Sequence, residues 1–529
     1  MNYFHILFIG AFLPLIIILY NIVPQKQRWI VLLIASYIFF WSISGKLIIY
    51  LLITTLLMYF FGIWLDKIQR KRDNELKNAE KENKKTIRQM AIKKQRKILA
   101  LASLIMIGTL AIVKYMPFIT ENIKSLFEAL NLPIEIKIIK FMVPIGISFY
   151  TLQALSYILD VYKEKIKADR NIGRLALFIS FFPQIMEGPF CRYSETAEDL
   201  WKCERTTYKN LTFGLQRIAL GFMKKKVIAD RLNPIVDKIF IDYANYDGGL
   251  VAVGMILYTL QLYMDFSGTM DVVIGIAEIF GVKMPENFRQ PFFSKSISEF
   301  WTRWHITLGA WFRDYIYYPV SLADKCKKIT SAARKKLGNY YGPMISSTIA
   351  LFCVWFCNGI WHGTGWNFLF FGIYHFVLIL IGRLIEPLAE KINKRLHINK
   401  ENFLYKSMQI IRTIILVFIG ELFFRANTLI DGFKMFGMMI KNFSLNLIND
   451  GTIFELGIDR QDFIIVGVMT LVILVISIFK EKGINIRESI ANKNIIIRWC
   501  FYYAIILSVL IFGAYGVGYI PVNPMYAQY

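Results

Sequence analysis

The stretch Ile345–Ile381, ISSTIALFCVWFCNGIWHGTGWNFLFFGIYHFVLILI, decides the fold. Two apolar runs flank a polar interruption, Asn358 to Phe368, that holds two asparagines, a histidine and three glycines. Crossing about 30 Å of hydrocarbon takes about 20 apolar residues in helical form, and runs of that kind recur outward from this stretch. They lie near 4–23, 28–43, 46–65, 98–117, 140–161, 172–190, 211–223, 250–266, 344–362, 365–385, 408–424, 462–479 and 497–518. With 529 residues, 56% hydrophobic and 16% aromatic, and a mean hydropathy of +0.45, the chain belongs in a bilayer rather than in several soluble domains. Some runs are too short or too polar to cross fully. The expectation is an all-α integral membrane protein with about 11 transmembrane helices plus re-entrant and interfacial ones.

The net charge of +24 does not imply nucleic acid, because the basic residues sit in short loops between spans, as in the positive-inside pattern. Asp66 to Lys97 is dense in Lys and Arg and reads as a cytoplasmic helix or helical hairpin. Three spans before it put the N-terminus outside, and Lys163, Lys165 and Lys167, then Lys224, Lys225 and Lys226, mark later cytoplasmic loops where anionic lipid is the expected partner. Met1 to Gly10 has no Lys or Arg, so the first run reads as a retained span rather than a secretory signal. No internal repeat or linker divides the chain, which reads as one membrane domain, 1–529, with a variable stretch near 386–405. Abundant Ile, Lys and Asn fit a bacterial source with an AT-rich genome.

Polar groups inside apolar segments are costly and mark functional sites by default. Of five histidines, His305, His362 and His375 fall within about 70 residues of one another. Around His305, a 100° period puts Trp301, His305, Leu308, Phe312 and Tyr315 on one stripe, with Trp304 and Trp311 beside it and Arg303, Thr307, Ala310 and Asp314 opposite. That predicts one amphipathic helix ending at Pro319. An interfacial helix explains the aromatic residues but not His305, which lies where a hydrophobic residue would suffice.

In the opening stretch, Asn358 and His362 are i and i+4, so the amide is expected to orient one ring nitrogen and leave the other free. A neutral, oriented imidazole can take a proton from a hydroxyl. Gly359, Gly363 and Gly365 permit either close helix contact or a break lining a cavity, with Trp355, Trp361 and Trp366 as its walls. His375 follows on the next helix. The histidines lack the spacing of a helical zinc site, and there is no H-E-x-x-H, G-x-S-x-G, P-loop or dinucleotide-binding glycine pattern. The six cysteines form no disulfide framework or metal motif. No metal and no resident cofactor is expected.

The segments Phe300–Tyr317 and Asn358–His375 together closely resemble the signature of membrane-bound O-acyltransferases. Pro144–Gln153 (PIGISFYTLQ), Phe181–Pro189 (FFPQIMEGP), Tyr263–Gly268 (YMDFSG) and Leu422–Ala426 (LFFRA) are similar to the same family, in order across about 130–430. Residues 431–529 then hold the C-terminal spans and tail. The resemblance is closest to the branch of the membrane subunit of alginate O-acetylation, and next to the D-alanine transfer protein of teichoic acids. It implies a ring of helices around a thin centre, His362 as the catalytic histidine and His305 as a second required one. Asp265 and Arg313 are then supporting or structural residues, and Trp304, Trp361 and Trp366 line the channel.

The resemblance further implies a cytoplasmic thioester donor, acetyl-CoA or a carrier-protein thioester, and an extracellular esterase-like partner that completes transfer to an exported polysaccharide. The branch often ends in an aromatic hexapeptide, and Pro524–Tyr529 (PMYAQY) aligns Tyr526 with the tyrosine thought to carry the acyl group, although the flanking phenylalanines are replaced. The alternative of another class is a polysaccharide or lipid flippase with the histidines as proton relays.

Overall fold

A computed structural model of the protein describes residues 2–132, 137 and 141–515. Helices account for nearly all of the regular structure, and among the described residues the one β contact is the isolated antiparallel bridge between Phe288 and Trp304. Among the described residues, eight helical stretches are long and apolar enough to cross a membrane: Gln25–Asn78, Lys81–Ala129, Gly248–Ile279, Asp324–His362, Trp366–Arg395, Phe403–Arg425, Arg460–Glu481 and Ile495–Phe512. The protein is therefore an all-α, multi-pass membrane protein.

The number differs from the expected eleven for two reasons. Gln25–Asn78 counts once, although the positive-φ Gly45 (φ 53°) separates helix Arg28–Ser44 from helix Ile48–Asn78. Several apolar runs also fold as shorter helices, such as Ile147–Tyr162 (16 residues) and Ile172–Ser180 (9 residues). At 1.5 Å per residue, 16 residues reach about 24 Å, short of the hydrocarbon thickness.

The chain forms two compact units, Met1–Leu215 with Val273–Pro285, and Gln216–Val272 with Glu286–Tyr529. In the first, the charged segment around Asp66–Lys97 is a helical hairpin of Ile48–Asn78 and Lys81–Leu110, as its composition predicts. Lys163, Lys165 and Lys167 are exposed, in keeping with a polar loop.

In the second unit, Lys224, Lys225 and Lys226 overturn the loop expectation. They lie in the π-helical turn Met223–Ala229 and are buried. The physical reason is neutralisation by three aspartates. Lys224 Nζ sits 2.7 Å from Asp271, Lys225 Nζ 2.9 Å from Asp230 and 3.0 Å from Asp265, and Lys226 Nζ 2.7 Å from Asp230. Arg217 adds a second cation 3.0 Å from Asp271. Buried charges persist only when paired in this way. The same turn and the start of the helix that follows it, Asp230–Ile241, hold the C-terminal spans in place. Arg231 pairs with Asp462 at the start of helix Arg460–Glu481 and donates to the Phe512 carbonyl (2.6 Å), while Ala514 N–H donates to the Lys226 carbonyl (2.9 Å).

The opening stretch becomes two helices joined by a short link. Asp324–His362 ends at His362, and Trp366–Arg395 begins three residues after Gly363. The first is itself folded back at Gly338 (φ 76°), so that residues 324–337 pack against the start of the span. A Cβ on Gly342 would stand 2.5 Å from Arg334 Cα. The two helices cross at a glycine notch. A Cβ on Gly372 would lie 2.4 Å from the Trp355 carbonyl oxygen, and one on Gly359 would lie 2.7 Å from that of Phe368. Gly359 thus serves close helix contact, whereas Gly363 and Gly365 form the break. Gly363 is extended (φ −168°), so its need for glycine comes from the Phe368 ring, whose Cε2 would be 2.2 Å from a Cβ there.

Candidate active site

His305 and His362 come from separate elements of the second unit and line one cavity of about 320 Å³, together with Trp301, Trp304, Trp355 and Asn358. His362 is the last residue of helix Asp324–His362, buried and packed edge-on to Trp361 (4.9 Å between ring centroids), Phe424 (5.2 Å) and Phe371 (5.9 Å). Trp361 also meets the His305 ring edge-on at 5.7 Å, so this indole stands between the two imidazoles.

The segment around His305 is not the single helix that periodicity predicts. Helix Ile297–Arg303, capped by the Ser296 hydroxyl, stops at Trp304, and a new helix, Ile306–Phe312, starts with His305 as its N-cap. Pro319 does not end the element either, since the chain continues through Arg313–Tyr317 into the short helix Tyr318–Ser321. The cause of the break is loop 287–289, which pairs with the backbone on both sides of His305. Arg289 N–H donates to the Arg303 carbonyl (2.9 Å) and Ile306 N–H to the Asn287 carbonyl (3.0 Å). His305 is thereby held at φ 47°, ψ 49°, a left-handed conformation that costs a non-glycine residue about 1–3 kcal/mol.

Asn287 is fully buried. Its Oδ1 accepts from Thr307 N–H (3.1 Å) and the Thr307 hydroxyl (2.9 Å), and lies 3.2 Å from His305 Nδ1. The Phe266 ring covers His305 edge-on at 4.8 Å. Burial pushes the His305 imidazole well below its ordinary pKa, and the neighbouring His362 adds to the shift, so the ring is neutral.

The other expected site residues divide. His375 is fully buried, accepts from Trp301 Nε1–H at Nδ1 (3.2 Å) and stacks on Trp355 at 5.4 Å. It supports the cavity wall from behind Trp301. Trp304 lines the cavity and Trp361 contacts both histidines. Trp366 does neither. It is 55% exposed, because the buried face of its helix carries Asn367, Phe368, Phe371, Gly372, His375 and Ile379. Asn358 lines the cavity, but its Oδ1 has no hydrogen-bond partner among the described residues, so it does not accept from the His362 ring. Arg313 is at the cavity wall, 58% exposed and paired with Asp314 at 3.3 Å rather than buried. Asp265 belongs to the Lys225 ion cluster. Tyr526 lies outside the described residues.

Asn287 escapes sequence reasoning, because it sits in a loop with no periodicity and its partners lie 18 and 20 positions away. A second cavity lies on its side. About 880 Å³ in volume, it is lined by Arg217, Arg289, Arg303, Lys480 and Arg487 against Asp271, Glu286, Glu299 and Glu481. A narrow pocket of about 40 Å³, bordered by residues of that cavity and by Lys224 and Ser267, reaches Asn287. Asn287 and His305 therefore separate a charged cavity from the one that holds both histidines. Among the described residues no cluster of His, Cys, Asp or Glu could hold a metal ion.

Residues 33–334 match the membrane-bound O-acyltransferase family. The chain is 31% identical over 433 residues to the "probable alginate O-acetylase" of Pseudomonas syringae pv. tomato, covering 82% of this chain and 74% of that protein. It is 28% identical over 422 residues to the peptidoglycan O-acetyltransferase of Helicobacter pylori, covering 73% and 71%. It is 32% identical over 252 residues to the teichoic acid D-alanyltransferase of Bacillus subtilis, covering 47% and 60%. All three relatives are bacterial, and all three transfer acyl groups by name, which no flippase does. With a family match across this much of an all-helical membrane chain, the protein belongs to the membrane-bound O-acyltransferase family and is an O-acyltransferase.

Proposed function

We propose that this O-acyltransferase moves an acetyl group from a cytoplasmic thioester, acetyl-CoA, across the membrane for O-acetylation of an exported or cell-surface polysaccharide. The observation that carries the site is the convergence of His305 and His362 on one cavity. The polysaccharide class rests on the long matches to alginate and peptidoglycan O-acetylating relatives. D-alanyl transfer to teichoic acid from a carrier-protein thioester is the second reading, supported by a relative matched over about half of this chain.

In the proposed reaction, His362 takes the proton of the acceptor hydroxyl as its oxygen attacks the thioester carbonyl. The tetrahedral intermediate collapses with cleavage of the C–S bond, and the imidazolium returns its proton to the leaving thiolate. Edge-on aromatic rings around His362 exclude water that would hydrolyse the thioester. The charged cavity, where five cationic side chains face four carboxylates, is the candidate entrance for the phosphate-bearing donor, with Arg289, Lys480 and Arg487 as the cations that would meet its phosphates. The acceptor is Tyr526 or a hydroxyl of a separate extracellular, esterase-like partner that completes transfer to sugar.

Purified protein in nanodiscs, given radiolabelled acetyl-CoA, should hydrolyse it or form an acetyl adduct seen by intact mass, and His362→Ala should do neither. Wild-type protein that shows no thioester chemistry with acetyl-CoA or a carrier thioester would sink the reading. If Tyr526 carries the acyl group, peptide mapping should find the added acyl mass on the C-terminal peptide. Its absence while product accumulates would remove Tyr526 from the path.

A further inference from the structure

Two hydrogen bonds to one oxygen fix the chemical form of His305. The atom of Asn287 that meets Thr307 N–H at 3.1 Å must be the carboxamide oxygen, because a backbone N–H can only donate. The Thr307 hydroxyl donates to the same atom at 2.9 Å, and the carboxamide nitrogen is turned toward Met270 Sδ at 3.3 Å. The third neighbour of that oxygen, 3.2 Å away, is His305 Nδ1. A lone pair at Nδ1 would face the oxygen's own, so Nδ1 must carry the hydrogen. In a neutral ring the lone pair then resides on Nε2.

We propose that Asn287 is a positioning residue that locks His305 as the Nδ1–H tautomer, so that His305 presents a hydrogen-bond acceptor at Nε2. The use of that acceptor rests on the acyltransferase reading above, whereas the tautomer does not. In this form His305 cannot donate to the oxyanion that develops on the thioester carbonyl. It offers Nε2 to a hydrogen-bond donor on the substrate bound in the cavity that it shares with His362. The backbone clamp on both sides of His305 serves the same end, since the left-handed turn at His305 brings Nδ1 onto Asn287.

The test separates tautomer from activity. Protein labelled with ¹⁵N,¹³C-histidine in nanodiscs, with the His305 signals assigned by their loss in His305→Gln, should show a protonated Nδ1 and an unprotonated Nε2. Asn287→Asp, which still accepts but adds a negative charge that favours the imidazolium, should keep Nδ1 protonated and raise the pH at which Nε2 loses its proton. Asn287→Leu should redistribute the tautomers and lower turnover about 100-fold, the scale of a misplaced acid–base group. Thr307→Val removes another donor from the same oxygen and serves as the structural control, with little change in tautomer or rate. Wild-type His305 protonated at Nε2 overturns the proposal, as does Thr307→Val matching the loss in Asn287→Leu with the tautomer unchanged. The expected tautomer in a protein without thioester chemistry would refute the acyltransferase reading and leave the assignment of Asn287 standing.

Discussion

Asp271→Asn should destabilise the protein more than any surface change, and the magnitude can be worked from the buried ion cluster. Asp271 holds Lys224 at 2.7 Å and Arg217 at 3.0 Å, with every side chain about nine-tenths buried. At an effective dielectric of about 20, those two contacts are worth about 6 and 5.5 kcal/mol of Coulomb attraction, most of it offsetting desolvation. Arg217 keeps a second partner in Glu286, at 2.5 Å, but no other ion-pair partner of Lys224 is seen among the described residues. Loss of the carboxylate therefore leaves one ammonium uncompensated, with a cost of about 3–5 kcal/mol.

Thermal unfolding in detergent should show a drop of several degrees for Asp271→Asn and for Asp271→Leu. Lys224→Met combined with Asp271→Leu should recover most of it, because the pair is then replaced by apolar volume. Equal unfolding temperatures for wild type and Asp271→Asn would refute the view that these lysines are neutralised in the interior rather than solvated in a loop. Lys224 and Asp271 also border the narrow pocket that reaches Asn287, so activity is measured on the double variant, where stability is restored. Turnover close to wild type there assigns the ions to folding alone.

Gly372→Ala places a methyl 2.4 Å from the Trp355 carbonyl oxygen and 3.2 Å from Gly359 N, all backbone atoms that cannot rotate away. The helices must part, at about 1–3 kcal/mol, and activity should fall with stability because His362 ends one of them; Gly382→Ala, with nothing within 4 Å, is the neutral control in the same unfolding assay. His362→Ala should lower acetyl transfer by about 10²–10⁴-fold and the unfolding temperature by a few degrees, since the edge-on rings around it can fill the vacated space only partly. For His305 the folded pKa lies well below that of the unfolded chain. Its contribution is therefore fully present above about pH 6.5 and is lost as pH falls below it, by about 1.4 kcal/mol per unit until the folded ring titrates. Thermal unfolding from pH 7.5 to 5 should fall more steeply for wild type than for His305→Gln, and parallel slopes would contradict a neutral buried ring.

The residues that could be read from sequence are those whose signal is local. Hydropathy over about 20 residues finds the spans, and the polar interruption at Asn358–Phe368 marks a buried site, because burying such groups costs free energy wherever they occur. Three features depend on contacts distant in the chain, and the local pattern misleads about each. The 3.6-residue period runs without a break through His305, yet the helix stops there because loop 287–289 takes its backbone hydrogen bonds. Lys224, Lys225 and Lys226 look like a cytoplasmic loop by charge, yet aspartates as far along as Asp271 draw them inside. Asn358 has the spacing to orient His362, but its oxygen makes no such bond. The orienting asparagine in this structure is Asn287, and it acts on the other histidine. An i,i+4 pair shares a helix face, but at a helix end the ring is placed by whatever packs beyond the last turn. Here Phe371 and Phe424 pack there and Trp361 flanks the ring from within the last turn, so the aromatic wall determines where the His362 imidazole points.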